Sequence, residues 1–154
     1  MSLEQLIGAD AVAPALRASS KKQLLQELAG RVAEREGLDQ RRVFEALMER
    51  ERLGPTGMGR GVAIPHARLP EVSRMTGYFA RLEKGLDFDA ADGGPVDLVF
   101  LLLAPEDAGA DHLRALARVS RLLRDEGRCA KLRSTADPAA IYAILVEDLS
   151  SNAA

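Results

Sequence analysis

The sequence has a single cysteine, Cys129, so no disulfide can form within the chain. That fits a reducing compartment and leads us to expect a cytoplasmic protein. No long hydrophobic run is present. The longest stretch of purely apolar side chains is Leu98–Ala104, far short of the roughly 20 residues that a membrane span requires. The first residues, Met1-Ser2-Leu3-Glu4-Gln5, offer neither the basic region nor the apolar stretch of a secretion signal. An excess of one charge is also missing. Lys and Arg total 21 against 23 for Asp and Glu, a net charge of −2. That balance argues against a general electrostatic grip on nucleic acid or on an anionic membrane. Histidine is scarce, with only His66 and His112. Two distant histidines and one cysteine supply no closely spaced ligand pair, so no metal and no other cofactor is expected.

Familiar motifs are missing as well. Gly54–Gly61 superficially resembles a nucleotide loop, but Gly59 is followed by Arg60-Gly61 in place of Lys-Ser/Thr. Its glycine spacing is not that of a dinucleotide fold, and it precedes a strand where that motif opens a helix. No Gly-x-Ser-x-Gly elbow supports a serine hydrolase. Asp87, Asp89 and Asp92 read as a turn-rich acidic loop rather than as catalytic carboxylates.

What is present is an ordinary globular balance, 47% hydrophobic and 29% charged over 154 residues. This suggests one domain, over 3–149, with a frayed tail at 150–154. Val12–Ala18 reads as a short strand interrupted by Pro14. Ser20 and Gln23 have capping-box spacing ahead of a helix with Leu24, Leu25, Leu28 and Val32 on one face. Gly37 ends it. Asp39 caps a second helix, with Val43, Phe44 and Leu47 inward, that stops before Gly54-Pro55.

Four glycines among the eight residues Gly54–Gly61 suggest a loop that brings bare backbone close to something. Val62–Ile64 reads as a strand ending near Pro65, followed by strands over Met75–Leu82 and Val96–Leu103. The second of these is apolar enough to be buried on both faces. Asp111 is placed to cap a helix from His112 to about Asp125, with Leu113, Leu116, Val119, Leu122 and Leu123 inward. Lys131–Ser134 reads as a helical turn. Asp137-Pro138 opens a last helix docked by Ile141, Ile144, Leu145 and Leu149. Helices before, between and after strands predict an α/β sandwich with a mixed sheet flanked by helices.

Two positions draw attention on these grounds. His66 follows a glycine-rich loop at an expected strand end, where α/β folds display functional side chains. Position alone leaves it open between an exposed turn histidine and a functional one. His112 falls at the first turn of a helix, whose free N–H groups and partial positive charge favour an anion. Alone, it reads more readily as a surface histidine in the first turn. Arg50 has the fork of donors that matches a phosphate, although Arg41, Arg42 and Arg52 nearby suit a solvated face. Thr56 offers a hydroxyl and an N–H to an anion, or simply shapes the turn.

Together these residues carry a resemblance. The run Arg50-Glu51-Arg52-Leu53-Gly54-Pro55-Thr56-Gly57-Met58-Gly59-Arg60-Gly61-Val62-Ala63-Ile64-Pro65-His66-Ala67-Arg68 resembles the active-site signature of the fructose/mannitol-type IIA domains of the phosphotransferase system. Asp92-Gly93-Gly94-Pro95-Val96, then Val99–Pro105 and His112-Leu113-x-x-Leu116-Ala117, are similar to that family's downstream turn, strand and helix. The resemblance spans Leu3 to Leu149, and its nitrogen-regulatory branch is the nearest in character.

The resemblance implies a IIA-type fold, with His66 as a transient phosphoryl acceptor through Nε2 and with Arg50 and His112 around the phosphoryl group. It implies a phosphotransferase component rather than a stand-alone small-molecule enzyme. The implied donor is an HPr-like phosphocarrier protein. Beyond it lie regulatory target proteins such as transporters or sensor kinases, or alternatively a IIB domain in fructose/mannitol-type uptake. The lack of a fused IIB or membrane domain leads us to expect regulation. Pro55 stands where the family commonly has serine, which removes a hydroxyl and an N–H from that position.

Overall fold

The computed structural model describes residues 2–147. Leu149 and the tail at 150–154 lie outside them. Helix α1 (Leu3–Leu6) is too short to show a periodicity in sequence, and it forms because Leu3 and Leu6 are buried. Strand β1 (Val12–Leu16) runs through Pro14. It is an edge strand, where the missing proline N–H is tolerated.

In helix α2 (Lys21–Glu36) the Ser20 hydroxyl accepts from the Gln23 N–H at 3.1 Å. The return arm of the expected box lands one residue early, because the Gln23 carbonyl accepts from Ser19. Gly37, at φ 69°, closes the helix in the left-handed conformation. Asp39 then caps α3 (Gln40–Leu53) through the N–H groups of Arg41 and Arg42. Val43 and Leu47 face inward as expected, while Phe44 is only half-buried.

The glycine-rich stretch is a hairpin rather than an open loop. Strands β2 (Gly57–Gly59) and β3 (Val62–Ala63) pair antiparallel. Arg60 and Gly61 turn between them with φ 58° and 80°. Two central residues at positive φ match the twist of a tight hairpin, so the glycines here serve the turn.

Strand β4 (His66–Leu69) corrects the expected strand end at Pro65. Val62 and Ala63 face Leu98 and Val99 of strand β6 (Val96–Pro105), and His66 faces Leu102 in unchanged register. The chain therefore follows β6 along one track, and His66 begins its second half. Proline interrupts the ladder only briefly, since the Pro65 carbonyl still accepts from the Leu102 N–H at 2.9 Å.

Strand β5 (Thr76–Leu86) completes a mixed sheet in the order β1-β5-β6-β3-β2, with β4 also on β6. Strand β6 is its spine, buried from Leu98 to Ala104. A strand buried on both faces requires cover on both. That cover comes from α2 and α3, which pack together, and from α1, α4 (Ala110–Leu123), α5 (Glu126–Arg133) and α6 (Pro138–Val146).

Helix α4 starts two residues before the expected position, with Gly109 as its N-cap and no side-chain cap bond from Asp111. Its inward face is His112, Ala115, Val119, Leu122 and Leu123, and Leu113 points outward at 66% exposure. The sequence pattern placed Leu113 inside; the helix is rotated so that His112 takes the inward position. Helix α5 is two turns long rather than one turn. Pro138 occupies the first turn of α6 as expected, although Asp137 makes no side-chain cap bond.

Candidate functional site

Arg50 lies 16 positions before His66 and His112 lies 46 positions after it, yet the three converge. The His66 and His112 ring centroids are 5.5 Å apart, edge to face. Arg50, on the last turn of α3, donates from Nε to His66 Nε2 at 3.3 Å and from a terminal nitrogen to the Gly54 carbonyl at 2.8 Å. Arginine has donors only, so His66 Nε2 accepts and its ring proton sits on Nδ1. That proton is donated to the Ile64 carbonyl at 2.8 Å. Burial holds His66 below the ordinary histidine pKa; the Ile64 bond opposes this and Arg50 reinforces it. The ring is thus neutral at pH 7, with an in-plane lone pair on Nε2 beside a guanidinium.

His112 is buried, and burial, then His66 and Arg68, push its pKa down to about 4. The Arg68 Nε donates to His112 Nδ1 at 2.8 Å. The N–H groups of Asp111 and His112, expected to face an anion, are already given to the Ala108 and Gly109 carbonyls. Intrahelical and turn bonding takes the donors that a helix start otherwise leaves open.

Thr56 is not placed as expected either. It is buried, and both its N–H and its hydroxyl donate to Glu51. A carboxylate accepts more strongly than a neutral group, so these donors are committed to the protein. The acidic loop contributes support: Asp92 accepts from the Arg60 N–H at 2.9 Å, and Asp89 pairs with Lys21 at 3.0 Å.

Sequence reasoning missed Glu51, Lys21 and Arg68. Glu51 is buried on α3 beside Arg50, with Lys21 Nζ 3.0 Å from its carboxylate. It sits four residues after Leu47, on the same helical stripe, and that spacing was the available signal. Arg68 is two residues beyond His66 on β4, so the two share a face. That signal was hidden while a strand was expected to stop at Pro65. Among the described residues no group of three or more His, Cys, Asp or Glu side chains is arranged to hold a metal. No described helix is long and apolar enough to cross a membrane.

The mixed α/β architecture and the match to a family model place the protein in the IIA class of phosphotransferase components. The chain belongs to the "Phosphoenolpyruvate-dependent sugar phosphotransferase system, EIIA 2" family, whose model matches residues 5–148. It is 56% identical over 145 residues to a nitrogen regulatory protein of Bradyrhizobium diazoefficiens, covering 94% of this chain and 95% of that one. It is 40% identical over 119 residues to a fructose-specific EIIA component of Haloferax volcanii, covering 77% and 74%. The crystal structure of the nitrogen regulatory protein IIA-Ntr from Neisseria meningitidis superposes with a TM-score of 0.88 at 35% identity, over 93% of this chain and 98% of that one.

Proposed function

We propose that His66 accepts a phosphoryl group from the phosphohistidine of an HPr-like carrier protein, and that this protein acts in nitrogen regulation through phosphorylation-dependent protein binding in the cytoplasm. The observation that carries the reading is the fixed form of His66: Nδ1–H on the Ile64 carbonyl, and an unprotonated Nε2 that accepts from Arg50. Arg50 turns its N–H from Nε2 to the incoming phosphoryl oxygens, and the freed Nε2 lone pair attacks phosphorus in line. A new Nε2–P bond forms, the donor's N–P bond breaks, and its electron pair returns to the donor imidazole. No proton need move on His66, because Nδ1 keeps its own. Arg50 offsets charge on the transferring oxygens, and His112 lines the same space.

The resulting phosphate brings nearly two negative charges to the surface around His66, enough to change which targets bind, transporters or sensor kinases among them. The nitrogen-regulatory relatives support this outcome. The fructose-specific relative favours a second reading, onward transfer to a IIB domain in sugar uptake.

The test is labelling with phosphoenolpyruvate, enzyme I and an HPr-like carrier. The expected result is one acid-labile phosphate on the wild-type chain and none on the His66→Ala protein. Label retained after that substitution overturns the assignment. Addition of a IIB domain that discharges the label selects the second reading.

A further inference from the structure

The bond between Arg68 and His112 has no part in the chemistry of His66 as described, yet it constrains the second ring. A guanidinium can only donate. Since Arg68 Nε lies 2.8 Å from His112 Nδ1, Nδ1 holds the lone pair. The ring is uncharged at neutral pH, so its one proton is on Nε2. That nitrogen is buried and has no hydrogen-bond partner in the protein. A buried donor without a partner is rare in native structures and points to a function. The ring packs edge to face against His66. The two histidines are therefore held in opposite tautomers: His66 presents a lone pair at Nε2, and His112 presents a proton there.

We propose that Arg68 is a positioning residue for phosphoryl transfer: by donating to Nδ1 it keeps the His112 proton on Nε2, where it is donated to an oxygen of the group passing to His66. This rests on the reading of His66 as the acceptor. His112 begins and ends the reaction with the same proton, so the transfer balances without it. Without Arg68 the proton can move to Nδ1. A lone pair on Nε2 then faces the anionic oxygens and repels them. Arg68 is exposed and reaches the site from β4, two residues beyond the acceptor, so one strand carries both the nucleophile and the group that sets its neighbour.

Long-range proton–nitrogen NMR of the imidazoles in the full chain reads the tautomers directly. In the wild type, His112 is expected as the Nε2–H form. In Arg68→Met it shifts toward a mixture containing Nδ1–H, while His66 stays unchanged. The maximal rate of transfer from phosphorylated carrier falls about tenfold, with little change in the carrier concentration giving half that rate. Arg68→Lys, which also only donates, retains most of the rate. His112→Gln supplies an amide N–H in place of Nε2–H and has no tautomer to set, so adding Arg68→Met to it costs little further rate.

A His112 tautomer that is Nδ1–H in the wild type, or unmoved in Arg68→Met, overturns the inference. So does an equal loss from Arg68→Met in the His112→Gln protein, which marks a direct electrostatic role. A wild-type protein that takes no phosphoryl group from the carrier overturns the proposed function and the transfer half of this inference. The NMR measurement still decides whether Arg68 sets the tautomer.

Discussion

At the scale of single residues, burial keeps both imidazoles of the site from taking a second proton. Both histidines are held below the ordinary value near 6.5, foremost by burial. Well above pH 6.5 His112 is neutral in the folded and the unfolded chain, and it adds nothing to the pH dependence of stability. As pH falls below 6.5, the unfolded chain takes up a proton that folded His112 refuses until about pH 4. Stability is therefore lost across that window, at a limiting slope of about 1.4 kcal/mol per pH unit for one such group. Urea unfolding at pH 7, 6 and 5 should show this fall, and the His112→Gln protein should show a shallower one. In the proposed transfer, Arg50 acts where charge develops. Arg50→Ala is expected to slow phosphoryl transfer by about 100-fold, the scale of losing one electrostatic stabiliser. A rate within twofold of wild type in a stopped-flow assay would remove Arg50 from the mechanism.

At the scale of elements, the end of α3 and the β2–β3 hairpin are tied together beneath the site. Glu51 is the knot: it accepts two donors from Thr56 and pairs with Lys21, which also reaches Asp89. Glu51→Ala leaves two buried donors and a half-buried ammonium short of a partner. The expected loss is about 2–4 kcal/mol of unfolding free energy, with Glu51→Gln losing less because its carbonyl still accepts.

The hairpin turn is held from the other side by Arg133 of α5, which donates to the Arg60 carbonyl at 2.9 Å and pairs with Asp97. A Cβ at Gly61 would lie 2.5 Å from the Arg133 guanidinium and 2.9 Å from Asp97, at φ 80°. Gly61→Ala is thus expected to cost about 1–3 kcal/mol through strain at this backbone position. A thermal melt indistinguishable from wild type would show that the turn relaxes freely.

At the scale of the whole molecule, three large hydrophobic side chains stand out as exposed among the described residues: Leu53 at 82%, Met58 at 45% and Leu113 at 66%. Each belongs to an element that frames the site. Leu53 ends the helix of Arg50, Met58 lies in the hairpin leading to His66, and Leu113 adjoins His112. Exposed apolar groups around the proposed acceptor suit docking of a partner protein. Leu113→Glu should raise the carrier concentration for half-maximal transfer about tenfold and leave the melting temperature nearly unchanged. An unchanged concentration dependence would place carrier docking elsewhere. In the interior, Leu101 is fully buried on the central strand. Leu101→Ala is expected to cost about 2–5 kcal/mol, a large share of the roughly 5–15 kcal/mol that holds a domain together.

Much of this was legible in the sequence because it depends on near neighbours. The caps of α2 and α3, the left-handed Gly37, the buried run of β6 and the mixed α/β layout follow from local spacing and chain sterics. The signature around His66 singled out the proposed acceptor before any contact was known. Tertiary packing decided the rest. It rotated α4 so that His112 faces inward and Leu113 outward, a choice that a helix with apolar residues at both phases leaves open. It carried the chain past Pro65 in register with β6, because the ladder bonds of a distant strand outweigh one missing N–H. It turned Thr56 onto Glu51 and brought Arg68 to His112 Nδ1. The sequence by itself pointed to His66, but the protonation of both rings is set by partners that only the fold brings within reach.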